Sequence, residues 1–144
     1  VAAYNKFQDF VEQLGLAKHN LNTDALHIYL SNAVPSASLD AVKADLLEIT
    51  AGNGYVADGI DTLNTYAEAA GTGTLTGTKA VWTASGGSIG PFQYVALMNF
   101  TQATPLKPLI AWWDYGSALT LLTGETFSVK FNASETTGTI FTLA

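Results

Sequence analysis

Apolar residues recur with a helical period only near the start of the chain. In "YNKFQDFVEQLG", Phe7, Phe10, Val11 and Leu14 fall at i, i+3, i+4 and i+7, with Lys6, Asp9, Glu12 and Gln13 off that stripe. This predicts an amphipathic helix ended by Gly15, either capping its own sheet or serving as an arm that docks on another subunit. From Asp24 the period becomes two. In "DALHIYLSN", Leu26, Ile28 and Leu30 oppose His27 and Tyr29, the pattern of a half-buried strand. "SASLDAVKADLLEI" predicts a short helix capped by Ser38, with Leu39, Val42, Leu46 and Leu47 on its apolar side. "TAGNGYVADG" reads as a loop, and residues 60–79, with "GTGTLTGT", as a mobile connection or an edge strand.

Beyond residue 79 strand signals dominate. "KAVWTA", "FQYVALMNF", "PLIAWWDY", "ALTLL", "ETFSVKF" and "TIFTLA" are separated by Gly, Pro, Ser and Asn clusters, and Thr123-Gly124 suggests a tight hairpin. "FQYVALMNF" and "PLIAWWDY" are apolar on both faces, so both faces should be covered. The expected fold is mainly β: an antiparallel β-sandwich or barrel-like domain with an N-terminal amphipathic helix. The chain divides into residues 1–20, the helix or arm, and 21–144, the sandwich, as a single domain overall.

Composition narrows the function. Only 12% of the 144 residues are charged against 48% hydrophobic, a surface suited to being covered by partners. Six Lys, no Arg and twelve acids give a net charge of -6, which weighs against nucleic acid as a partner. Cysteine is absent, no intact signal peptide opens the given sequence, and no run approaches the roughly 20 apolar residues of a membrane span. Neither membrane nor nucleic acid is expected as a partner.

Catalytic equipment is thin. "GGSIG" around Ser88 matches the nucleophile-elbow pattern, but Pro91 and a strand-like run follow where a helix is required, and both histidines precede the serine. It reads as a turn. His19 and His27 lack metal-ligand spacing and read as surface or interface residues. Asp58 and Asp61 do not match a calcium loop and read as a solvated acidic turn. "NFT" at Asn99 and "NAS" at Asn132 would matter as glycosylation sites only in a secretory pathway. No metal, cofactor or catalytic residue is expected. In "PLIAWWDYG", Trp112 and Trp113 must point to opposite faces of a strand and cannot form one stacking platform.

The order of segments "YNKFQDFVEQL…HNL", "LHIYLSN", "LLEITAGNGY", "WTASGGSIGPFQYVALMN", "PLIAWWDYG" and "TLLTGETFSVKF" resembles a group of small virion proteins of tailed bacteriophages, over nearly the whole chain and least between residues 60 and 79. The resemblance implies a non-enzymatic capsid cement or decoration protein, made in the bacterial host cytoplasm and located on the capsid exterior. Its partners would be the major capsid protein and further copies of itself, a trimer being favoured. A tail or fibre component, or a host-surface module recognising carbohydrate, are the alternatives. The expected contact residues are Trp112, Trp113, Tyr115, Phe92 and Tyr94, then the helix face of Phe7, Phe10 and Leu14.

Overall fold

The computed structural model describes residues 2–133 and 136–144. Among the described residues, ten strands and one short α-helix follow in the order β1 (Asn5–Lys6), α1 (Asp9–Gly15), β2 (Leu26–Ser31), β3 (Ile60–Asp61), β4 (Thr65–Ala69), β5 (Thr72–Thr78), β6 (Ala80–Thr83), β7 (Ile89–Asn99), β8 (Leu109–Leu121), β9 (Thr126–Val129) and β10 (Thr137–Leu143). The fold is mainly β with antiparallel pairing throughout, a sandwich-like domain with one short helix. One layer is a five-stranded sheet in the order β1-β8-β7-β2-β3. The other is a ribbon. β5 and β6 are separated only by Lys79, and β10 then β9 pair along them in succession, with β4 on the outer edge of β5.

The central strands are buried on both faces. The row Leu30–Val95–Trp113 runs across β2, β7 and β8 on the ribbon side, where Leu75, Ile140, Phe141 and Trp82 complete the main core. The neighbouring row Tyr29–Ala96–Trp112 faces the other way, into a second core with Phe7, Leu46, Met98 and Leu109. Two covered faces are what the non-alternating "FQYVALMNF" and "PLIAWWDY" require. β2 goes further than its half-buried pattern, because Tyr29 is fully buried too.

Three local expectations fail, each for a physical reason. Leu39, Val42, Leu46 and Leu47 form no helix beyond a single 3-10 turn at Lys43–Asp45. Val42 and Leu46 are extended on either side of that turn, and the Val42 N–H goes to Asp45 Oδ2 as the turn's capping bond instead of to the Ser38 carbonyl that a helix would offer it. The segment crosses the second core as an irregular cover, with Leu46 inward. Thr123-Gly124 does form a tight turn, Glu125 N–H to Leu122 O at 2.9 Å, but the strands it joins pass to different layers and never pair. The "GTGTLTGT" region is a regular hairpin, turned by Ala70 and Gly71 at φ 52° and 84°. Its inward positions are Gly73, Leu75 and Gly77, and a Cβ on Gly73 would sit 1.7 Å from the Tyr66 hydroxyl.

The helix is shorter than its stripe. Phe10 enters the main core, whereas Phe7 precedes the helix and fills the second core on the opposite side of the sheet; Val11 is exposed.

Backbone proximity is most severe at Gly59, where φ is +68° and a Cβ would fall 1.8 Å from the Ile28 carbonyl oxygen on β2. Gly59→Ala is expected to destabilise the fold by about 2–4 kcal/mol. Gly15→Ala, in a helix with nothing near its Cβ, should instead add roughly 0.5–1 kcal/mol. Urea unfolding of the two variants beside the parent checks both signs.

Candidate functional site

The aromatic run begins where β8 leaves the cores. Trp112 and Trp113 do point to opposite faces: the Trp112 ring lies 4.6 Å from that of Phe7, and Trp113 lies 5.8 Å from Tyr4 and 6.1 Å from Phe131. Regular pairing then stops. Asp114 is opposite Tyr94 and the next pair is Leu119 with Phe92, so β8 inserts several residues into a wide bulge. Asp114 shapes it, its Oδ1 accepting from Gln93 Nε2 at 3.0 Å and from Gly116 N–H at 2.7 Å, with Gly116 at φ +100°. The bulge aims Tyr115 edge-on at Phe127, 5.7 Å away at 82°. An open cleft of about 370 Å³ results between the edges of the two layers, walled by Tyr4, Trp113, Tyr115, Phe127 and Phe131. These rings meet tilted or edge to face, and do not form a row of parallel open faces.

Of the expected contact residues, Tyr115 is 53% exposed, while Trp112, Trp113 and Leu14 are half-buried. Tyr94 is buried at 8% exposure. Phe92, Phe7 and Phe10 are core residues with essentially no accessible surface, which corrects their assignment as contacts: a side chain wholly enclosed by its own chain has none to offer a partner.

A second feature was not read from the sequence as a unit. Lys43 Nζ is 2.6 Å from Glu48 Oε2 and 3.1 Å from Asp58 Oδ1, and Lys107 Nζ is 2.8 Å from the same Asp58 oxygen. Tyr55 donates its hydroxyl to Glu48 Oε1 at 2.7 Å while accepting the Leu30 N–H, and Asp58 N–H also donates to Glu48 Oε1. Burial pushes the Asp58 carboxyl up, but the bonds and charges of Lys107 and Lys43 outweigh it and hold the group below the usual carboxylate range. Burial likewise pulls the Lys43 ammonium down, and Glu48 and Asp58 more than reverse it. The reading of Asp58 as part of a solvated turn is thereby corrected. It ties three loops together, those around residues 40–48, 55–59 and 100–108. Their apolar residues Leu39, Leu47, Val56 and Leu106 remain bare. In the sequence, Leu39 and Leu47 had been placed on the apolar side of a helix, and Val56 in a loop.

The remaining chemical candidates are structural. "GGSIG" is a turn between β6 and β7 with Ser88 exposed, and strand rather than helix follows it. Among the described residues no three His, Asp or Glu side chains converge as a metal site, and no helix is long and apolar enough to cross a membrane. Asn99 is fully buried, and its amide donates to Asp24 Oδ2 at 2.7 Å and to His19 Nδ1 at 3.1 Å. His19, expected at a surface or interface, is buried too. Because Nδ1 accepts, the ring hydrogen sits on Nε2, which has no hydrogen-bond partner. Burial lowers the His19 pKa to about 4 against the opposing pull of Asp24 and Asp9. His27 stacks on Phe100 at 4.2 Å.

Comparison with family models, curated proteins and solved structures finds no match to this chain.

Two outcomes follow from this geometry. Trp112→Ala should cost about 2–4 kcal/mol in the isolated protein and Tyr115→Ala less than about 1 kcal/mol, read by chemical denaturation. His19 titrates lower when folded than unfolded, so the unfolded chain binds the extra proton. Its contribution to stability is complete above about pH 6.5 and is lost as pH falls toward 4, a loss of about 3 kcal/mol. Against His19→Gln, the parent should show that additional loss of unfolding free energy between pH 7 and 4.5. Parallel pH profiles would contradict the assignment.

Proposed function

We propose that this protein is a non-enzymatic structural component of a tailed-bacteriophage virion, a cement or decoration protein that binds the outside of the major capsid protein shell and stabilises it. The observation that carries the reading is the surface. Large apolar side chains such as Leu39, Val34 and Leu47 stand bare on a folded sandwich whose chain has very few charges. Such a surface is made for contact with protein. Its acidic, arginine-free character suits the exterior of a shell rather than its DNA-facing lining. The segment resemblance to small virion proteins points the same way.

A cement acts by mass action. It binds the assembled lattice and not its separated subunits, so each bound copy adds to the free energy of taking the shell apart. Clustered copies, of which a trimer is the favoured form, gain further through effective concentration. A tail or fibre role would use the same fold at low copy number. A carbohydrate-binding role would rest on the aromatic cleft, whose rings are turned toward one another rather than held open for stacking.

Co-sedimentation with mature capsids lacking the protein tests the proposal. Saturation at a large copy number that matches the lattice symmetry is expected. Absence of binding, or a handful of copies per particle, would transfer the assignment to the tail or the receptor-binding apparatus.

A further inference from the structure

The layer that covers the five-stranded sheet thins toward one side. Along the inward row Leu30–Val95–Trp113, exposure rises from 0% to 5% and then to half-buried as the row passes from β2 through β7 to β8. Tyr115, two residues further along β8, stands mainly in solvent. On this side the ribbon ends in β9 and β10. Among the described residues β9 is paired only with β6, and β10 only with β5. The sheet beneath is incomplete there too: β1 meets β8 only at Asn5–Trp112 and Lys6–Ala111, and residues 2–4 run on outside any ladder. The cleft of about 370 Å³ lies in this gap, and its ribbon wall includes every residue from 127 to 131, with Thr139 and Ile140 of β10. Side chains on a strand alternate between faces. An unbroken run along the wall therefore means that the cleft follows the backbone edge of β9 and the two residues after it, not one face of the strand.

An edge of this kind selects its occupant. The outer backbone groups of β9 and β10 have no strand to pair with among the described residues, and the row of donors and acceptors that matches them is another extended backbone. A helix satisfies its own backbone and would offer side chains alone. The alternation required of an added strand is already displayed by β9, with Phe127 and Val129 half-buried and Thr126 and Ser128 exposed. Inward side chains of the new strand would fall on Trp113, Tyr115 and Phe127, which calls for apolar groups at every second position. A second copy has no spare strand to give, because each of its ten is already paired within its own sheets. We propose that this cleft is a strand-addition site. It takes an extended segment of a different polypeptide, apolar at alternate positions, and adds it to the ribbon beside β9. The inference does not depend on the capsid reading; it names the way in which a partner chain attaches.

The test uses the isolated protein and a synthetic peptide of about nine residues in which valine alternates with threonine, closed by lysine at both ends for solubility. A second peptide of the same sequence is N-methylated along its backbone, so that it keeps the side chains and loses the donors. Binding is read by tryptophan fluorescence and by amide hydrogen exchange. The first peptide should bind with a Kd below about 1 mM and slow exchange of the β9 amides by about 10-fold or more, leaving β4 at the opposite edge of the ribbon unchanged. The N-methylated peptide should bind at least about 10-fold more weakly. Tyr115→Ala, which removes an exposed ring, should melt with the parent and bind the first peptide about 5-fold more weakly. Absence of binding at about 1 mM, equal binding of the two peptides, or protection confined to β4 would overturn the proposal. So would sedimentation of the free protein as a dimer with the β9 amides already protected, which would make this edge a contact between copies.

Discussion

The constraint on which the rest of the structure depends is that the central strands β2, β7 and β8 are apolar on both sides. A sheet of that kind is stable in water only when two separate layers cover it. The ribbon β4 to β6 with β9 and β10 covers one face and closes the main core. The other face is covered by Phe7 and by the irregular segment that carries Leu46. Irregular backbone against a core has to find hydrogen-bond partners outside any ladder. Here side chains supply them: the Tyr29 hydroxyl donates to Leu46 O, Ser31 Oγ donates to Leu47 O, and Asp40, Asp45 and Glu48 accept backbone N–H groups. A chain with few charged residues concentrates several of them on fastening this cover.

The β class and the opposite orientations of Trp112 and Trp113 were legible from the two-residue repeat of a strand, and the double burial of the two long strands from the lack of alternation in their apolar residues. The β4–β5 hairpin was hidden for a steric reason. Its inward positions alternate as Gly73, Leu75 and Gly77, so the core side carries almost no hydrophobic signal although the strand is regular. The cover segment was misread for the opposite reason. Its leucines have helical spacing, but the backbone is extended at Val42 and Leu46, Asp45 takes the Val42 N–H that a helix ladder would use, and Leu39 and Leu47 are left outside. Spacing reports which residues share a face only after the backbone conformation is known.

The same limit governed the contact residues. Aromatic content identified the region around Trp112 but could not say which rings would be enclosed. Phe92 and Phe7 sit at the centres of separate cores, and only Tyr115, turned out by the bulge at Asp114 and Gly116, stands mainly in solvent. The ion-pair network was invisible for a further reason. Lys43, Glu48, Asp58 and Lys107 are scattered over 65 positions of the chain, and only the fold makes them one network.

That network also shows how a chain with few charges can withdraw several of them from water. Burying a charge is costly unless it is paired and its remaining hydrogen-bonding capacity is satisfied. Here two ammonium groups meet two carboxylates, and Glu48 accepts from Tyr55 and from the Asp58 N–H as well. The Lys43, Glu48, Asp58 and Lys107 side chains are mostly withdrawn from water, and each has an oppositely charged partner within the network. What the fold gains from these ion pairs is a fixed arrangement of three irregular loops around one set of mutually satisfied charges.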